Sequence, residues 1–225
     1  MSSADFSLLT KRRFAPMFVV QFLGAFNDNV LRFGMISLAT YTIFQNDDHK
    51  AAILASEAAG LFMLMYLLFS AIAGQLADKY DKARLMQIIK GAEVVIMALS
   101  VAGFWYQSIP LLMTCLCLMG VHSTIFGPVK YAILPQHLGR DEIMGGTGII
   151  EAGTFLAILG GQLLGMRIEH PWHAGVVALG LAVIGFIAAL AIPKAPAPDP
   201  KMRITRNPVF ATWKVLRMAW AGKGT

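Results

Sequence analysis

Gly74-Gln-Leu-Ala-Asp-Lys-Tyr-Asp-Lys-Ala-Arg84 is a polar island in an apolar chain, with five charges in the seven positions from Asp78 to Arg84. The runs on either side, 51–77 and 85–106, are each long enough to cross a bilayer. A crossing takes about 20 apolar residues at about 1.5 Å of rise per residue. The island therefore reads as a tight loop between two membrane helices. Gly74 suits the close approach of another helix backbone, and Asp78 suits a helix N-terminus, where a negative charge is favoured. Lys79, Lys82 and Arg84 assign the loop to the cytoplasmic side, where Lys and Arg accumulate.

Working outward, the same pattern repeats. Of the 225 residues 56% are hydrophobic and 14% charged, with a mean hydropathy of +0.61. Soluble domains carry about 25% charged residues, so a water-soluble fold is excluded. The net charge of +6 does not point to nucleic acid, because the excess lies in short loops and no basic-aromatic surface accompanies it. Cys115 and Cys117 stand two apart in an apolar run, on different sides of a helix, and read as core thiols. His170 and His173 flank Pro171-Trp172 without a third ligand, so neither metal nor cofactor is expected.

The division is a cytoplasmic N-terminus at 1–13, a six-helix membrane bundle at 14–192, and a cytoplasmic linker with an interfacial helix at 193–225. Lys11-Arg12-Arg13 precedes an apolar run, as in a signal peptide, but the run from 14 to 44 is too long and too charged for one. It reads as helix 1. Helices 2 and 3 occupy the two runs around the island. Helix 4 begins near Pro110 and ends either at Gly127-Pro128 or, kinked, at Leu134 before Pro135. Helix 5 spans 143–168 with seven glycines, of which Gly161 and Gly165 form a close-packing pair for membrane helices. Helix 6 spans 173–192. Beyond the proline-rich stretch 193–200, Asn207-Pro208 reads as an N-cap and first turn. Val209, Trp213, Leu216 and Trp220 then recur at helical spacing beside Lys214 and Arg217, which suits a membrane surface.

Orientation follows from Lys and Arg. With the N-terminus inside, sixteen fall on inner segments, Lys90 and Lys130 among them, and Lys50 and Arg167 on outer ones. Both ends are therefore expected in the cytoplasm.

Ionisable groups inside hydrocarbon cost a few kcal/mol each and mark function by default. Asp28 lies fourteen residues beyond Phe14, roughly 21 Å along the axis and near mid-membrane. Gln21, Ala25, Asp28 and Arg32 share one face. Two readings stand: an Asp28–Arg32 pair that neutralises itself, or a lining for a cavity. Lys130 on helix 4 and Glu151 on helix 5 have matching depths for a salt bridge. Glu57 and Glu93 are weaker candidates, able to reach toward an interface, and His122, Ser123 and Thr124 suit helix–helix hydrogen bonding.

The island resembles the signature between helices 2 and 3 of the major facilitator superfamily, Gly-x-Leu-Ala-Asp-Arg/Lys-x-Gly-Arg/Lys. Gly74, Leu76, Ala77, Asp78, Lys79 and Lys82 fall on it, with Asp81 in place of the glycine. Three further segments are similar to the lysophospholipid transporter family of bacterial inner membranes. They are Gln21-Phe-Leu-Gly-Ala-Phe-Asn-Asp-Asn29, Gly127-Pro-Val-Lys-Tyr-Ala-Ile-Leu-Pro135 and Gly148-Ile-Ile-Glu-Ala-Gly153. The resemblance implies the N-terminal half of a twelve-helix facilitator with its central linker, the matching half lying elsewhere. It also implies that Asp28, Asn29, Lys130 and Glu151 line or gate a headgroup cavity. Arg32 departs from the aliphatic residue usual there. Gly74, Asp78, Lys79, Lys82 and Arg84 would form the loop that switches conformation, with Asp78 as a clamp onto the second half. A different class of reading treats the chain as a membrane anchor for an acyltransferase, since some relatives carry one, although no His-x-x-x-x-Asp motif occurs here. A facilitator for another solute is a third; helix 5 lacks the Gly-Pro pair of antiporter members, which counts against an exporter.

Overall fold

The computed structural model describes residues 6–45, 47–168 and 170–205, together with Asn207, Phe210, Trp213, Arg217 and Trp220. Six long helices follow one another: α1 Ala15–Leu38, α2 Asp48–Lys79, α3 Lys82–Trp105, α4 Ile109–Ala132, α5 Arg140–Arg167 and α6 Pro171–Leu190. A 3-10 turn at Ser7–Thr10 precedes α1, a π-helical turn at Ala39–Ile43 prolongs it, and a one-turn helix Leu134–His137 follows α4. Among the described residues there is no strand. Among the described residues five segments are long and apolar enough to cross a membrane: Asp48–Lys79, Lys82–Trp105, Ile109–His137, Arg140–Arg167 and Trp172–Leu190. α1 has the length, 24 residues or about 36 Å, and differs from the five in carrying Asn27, Asp28, Asn29 and Arg32.

Local chemistry sets the boundaries. Asp47 caps α2 by accepting the Lys50 N–H at 3.1 Å, and Ser108 caps α4. Pro110 and Pro171 stand in first turns, where no N–H is needed. α4 runs through Pro128 to Ala132, which decides between the two expected ends: the helix tolerates one lost i→i−4 bond and stops before Pro135. The polar island is mostly helical. Only Tyr80 and Asp81 separate α2 from α3, so the expected eleven-residue loop shrinks to two.

α1 lies at the centre, against α4, α5 and α6, while α2 packs chiefly on α4 and α3 on α4 and α6. Gly161 and Gly165 bring the α5 backbone onto α1: a Cβ at Gly161 would stand 2.3 Å from the Phe26 carbonyl oxygen, and one at Gly165 2.9 Å from the Gly34 nitrogen. Apolar burial forms two clusters, one around Met17, Val20, Met86, Ile89 and Val129, the other around Val30, Met35, Met97, Leu116 and Met119. The layer between them holds α1 near 21–28, α3 near 90–93 and α4 near 122–124. That is where the polar residues are.

The segments before α1 and after α6 meet the same end of the bundle. Arg13 donates to the His137 carbonyl at 2.9 Å, and Lys11 and Arg13 pair with Glu142 at 3.0 and 2.6 Å. The stretch after α6 lies across that face, with Asp199 N–H on the Asp78 carbonyl and Thr205 N–H on the Gln75 side chain. Of the expected interfacial helix, Pro208, Val209, Lys214 and Leu216 lie outside the described residues. Asn207 accepts the Phe210 N–H at 3.1 Å, and Trp213 and Trp220 are exposed.

Candidate functional site

The polar layer surrounds a cavity of about 190 Å³. Its ionisable lining is Asp28 from α1, Lys90 from α3, and His122 and Lys130 from α4. Tyr66, Tyr131, Ser123, Gln21 and Thr154 supply hydroxyl and amide groups, while Val20, Ala25 and Phe126 keep part of the wall apolar. Thr154 donates to the Gln21 side chain at 2.8 Å, tying α5 to α1 at the rim.

Asp28 sits about 20 Å along α1 from Ala15. Ser123 donates to its Oδ2 at 2.6 Å, and Oδ1 is buried with no hydrogen-bond partner. Asp28 and Arg32 do not pair within 4 Å; the Arg32 guanidinium instead lies 4.6 Å from the Phe62 ring centroid on α2. The self-neutralising pair is thus not formed, and Arg32 is not part of the cavity lining.

Lys130 and Glu151 stand 3.8 Å apart across α4 and α5. The Tyr131 hydroxyl donates to the same Glu151 carboxylate, and the Lys130 ammonium lies 4.7 Å from the Tyr131 ring centroid. Glu151, at 40% side-chain exposure against 14% for Lys130, forms the outer member of this pair. Asn29 is a correction. Its Nδ2 donates to the Ala25 carbonyl of its own helix, and its Cβ packs on Gly161, away from the cavity.

Glu93, expected as a weaker candidate, departs furthest from that expectation. Far from reaching an interface, it is fully buried; it accepts from Asn27 at 2.9 Å and from the Lys90 ammonium, and lies 3.2 Å from His122 Nε2. Lys90, counted with the inner segments, is equally buried, and His122 belongs to this buried polar group rather than to helix packing alone. The i,i+3 spacing of Lys90 and Glu93 was the available signal; their inward direction was not written in it. Without Lys90 and Lys130, fourteen cations remain on the segments expected inside against two on those expected outside. Glu57 is exposed on α2.

The residues of the island also need correction. A Cβ at Gly74 would meet nothing within 4 Å, so no described helix makes the close approach expected there. The cap of α3 is Asp81, not Asp78: its carboxylate accepts the Arg84 N–H at 2.9 Å and the Ala195 N–H at 3.2 Å. Lys82 is buried, giving its backbone N–H to Ala195 and its ammonium to the Pro196 carbonyl. The Asp78 side chain is exposed, Lys79 lies beside the Tyr80 ring, and Arg84 faces outward.

With its described long elements all helical and a polar cavity between them, the chain belongs to the Major Facilitator Superfamily, whose profile matches residues 17–221. Among named relatives it is similar to the lysophospholipid transporter LplT of Salmonella newport strain SL254, Salmonella heidelberg strain SL476 and Salmonella agona strain SL483. Each is 33% identical over 185 residues, which cover 81% of this chain and 43% of the relative. The chain thus spans less than half the length of these relatives.

Proposed function

We propose that this chain is the N-terminal half of a transporter that moves lysophospholipids inward across the bacterial inner membrane by alternating access. The observation that carries the reading is Asp28: a carboxylate at mid-helix, on a cavity wall, with one oxygen held by Ser123 and the other unpartnered. A cationic or zwitterionic headgroup supplies the missing donor, and the apolar part of the wall suits the start of an acyl chain. Lys130, Tyr131 and Glu151 act as a charged latch at the cavity's inner end. Facilitator sites lie between two helical halves, and the outward face of α2, with Met63, Leu64 and Tyr66 exposed, is the surface a second half would cover. Asp78 and Gly74 would find their neighbours there, and the face that meets the segments before α1 and after α6 would be cytoplasmic.

The test is uptake of labelled lysophospholipid into vesicles by the full-length gene product. Asp28→Ala should lower uptake at least about tenfold, the effect of losing one charge-assisted hydrogen bond. Unchanged uptake removes Asp28 from the mechanism. Absence of uptake by the unaltered protein, with an acyltransferase co-purifying instead, would favour the membrane-anchor reading.

A further inference from the structure

Lys90 is fully buried although it lies only eight residues into α3 from Lys82. Two neighbouring helices omit side chains where its ammonium sits. A Cβ at Gly185 of α6 would stand 2.7 Å from Lys90 Cε and 2.8 Å from Nζ, and one at Gly24 of α1 would stand 3.7 Å from Nζ. The lysine is thus threaded through a notch cut by two glycines, and it ends at the cavity wall beside His122. Its partner Glu93 is held from two further sides, by Asn27 on α1 at 2.9 Å and by His122 on α4 at 3.2 Å. A pair serving only to join two turns of α3 needs neither a notch nor a cavity. Burying two charges for packing alone is also no better than an apolar pair of the same volume.

We propose that Lys90 binds the phosphate of the lysophospholipid headgroup, exchanging Glu93 for a phosphate oxygen when the lipid enters; this rests on the cavity being a headgroup site. An ammonium has three donors and no acceptor, so it serves a carboxylate and a phosphate in turn or together. Asn27 keeps a donor on Glu93 after the exchange and His122 Nε2 remains 3.2 Å away, so its charge is not stranded. Asp28 and Lys90 then offer opposite charges to one cavity, as a headgroup with linked ammonium and phosphate requires.

The experiment is equilibrium binding to the full-length gene product in nanodiscs. The probes are lysophosphatidylethanolamine and a monoacylglycerol of the same acyl chain, which lacks the phosphate. The unaltered protein should prefer the phospholipid. Lys90→Met/Glu93→Gln, which keeps the buried site neutral, should weaken phospholipid binding at least about tenfold while leaving the monoacylglycerol unchanged. Glu93→Gln alone frees Lys90 and should tighten phospholipid binding, a gain that a purely structural pair does not produce. Preference lost in the double variant, or gained in Glu93→Gln, supports the assignment, the latter standing even if the double variant misfolds. An unaltered protein without preference overturns the headgroup reading and the Lys90 assignment with it. A preference that survives intact in the double variant overturns the Lys90 assignment alone, as does a Glu93→Gln protein that binds both lipids equally less well.

Discussion

Asn27, Asp28 and Asn29 are consecutive, and they reach three different helices. Successive residues of an α-helix turn by about 100°, so Asn27 meets Glu93 on α3, Asp28 meets Ser123 on α4, and Asn29 packs on Gly161 of α5. One tripeptide therefore pins the central helix to three neighbours, and only its middle residue faces the cavity. Glu93 is the most heavily used member of the layer. Glu93→Ala should cost about 3–5 kcal/mol, because it leaves the Lys90 ammonium buried and unpaired. Thermal unfolding in detergent would measure this, with Lys90→Met/Glu93→Gln recovering most of the loss; equal destabilisation by both would show that Lys90 is not the cause. Asp28 was legible in the sequence because an acid that far into an apolar run has no interface within reach. Lys90 was not, because it stands eight residues from the start of α3, close enough to be given to water, and Glu93, although at the middle of α3, was given the same reach. The glycine notch that draws Lys90 inward belongs to α1 and α6, and no spacing within α3 records it.

Phe14, Phe18, Phe22 and Phe26 form a ladder along α1 with ring centroids 6.0–6.3 Å apart. α5 answers with glycines seven residues apart: Gly146 opposes Phe14, Gly153 opposes Phe18 and Gly160 opposes Phe26. Large residues on one helix thus fill gaps on the other, and at the very next residue Gly161 lets the backbones approach. Lipid tails are as apolar as these side chains, so association of α1 with α5 rests on such fit rather than on water exclusion. Gly161→Ala should destabilise by about 1–3 kcal/mol, because the clash is with a carbonyl that cannot turn aside. Gly60→Ala on α2, where a Cβ meets nothing, should be neutral or gain up to about 1 kcal/mol from helix propensity. Thermal unfolding of both variants checks the contrast, and equal effects would mean that the close contact carries no stability. The Gly161/Gly165 pair was visible from spacing alone; the seven-residue ladder required knowing which helix faces α5. A second interlock is the strap after α6. Asp81 takes the Ala195 N–H while capping α3, so Asp81→Ala loses a cap worth about 0.5–2 kcal/mol and one anchor of the strap. Proteolysis within 193–205 should become faster in this variant, and an unchanged cleavage rate would show the anchor to be dispensable.

Charge is distributed over the molecule as steeply as hydrophobicity. The end that holds Lys11, Arg13, Lys79, Arg84, Lys194 and Lys201 receives the segments before α1 and after α6, while the opposite end carries Lys50 and Arg167. This asymmetry survives without Lys90 and Lys130, which line the cavity, because fourteen of the remaining cations still lie on one set of segments. Juxtamembrane Lys and Arg resist translocation, so the basic end should face the cytoplasm, with the strap and the exposed Trp213 and Trp220 beside the inner leaflet. Cysteine accessibility in spheroplasts decides the point. In a background with Cys115 and Cys117 changed to alanine, His49→Cys lies at the N-terminal end of α2 and Pro198→Cys on the strap, both at exposed positions. A membrane-impermeant maleimide should label His49→Cys in intact spheroplasts and reach Pro198→Cys only after permeabilisation. The reverse pattern would invert the orientation, putting the Lys130–Glu151 pair at the periplasmic end of the cavity and undoing its assignment as the inner latch.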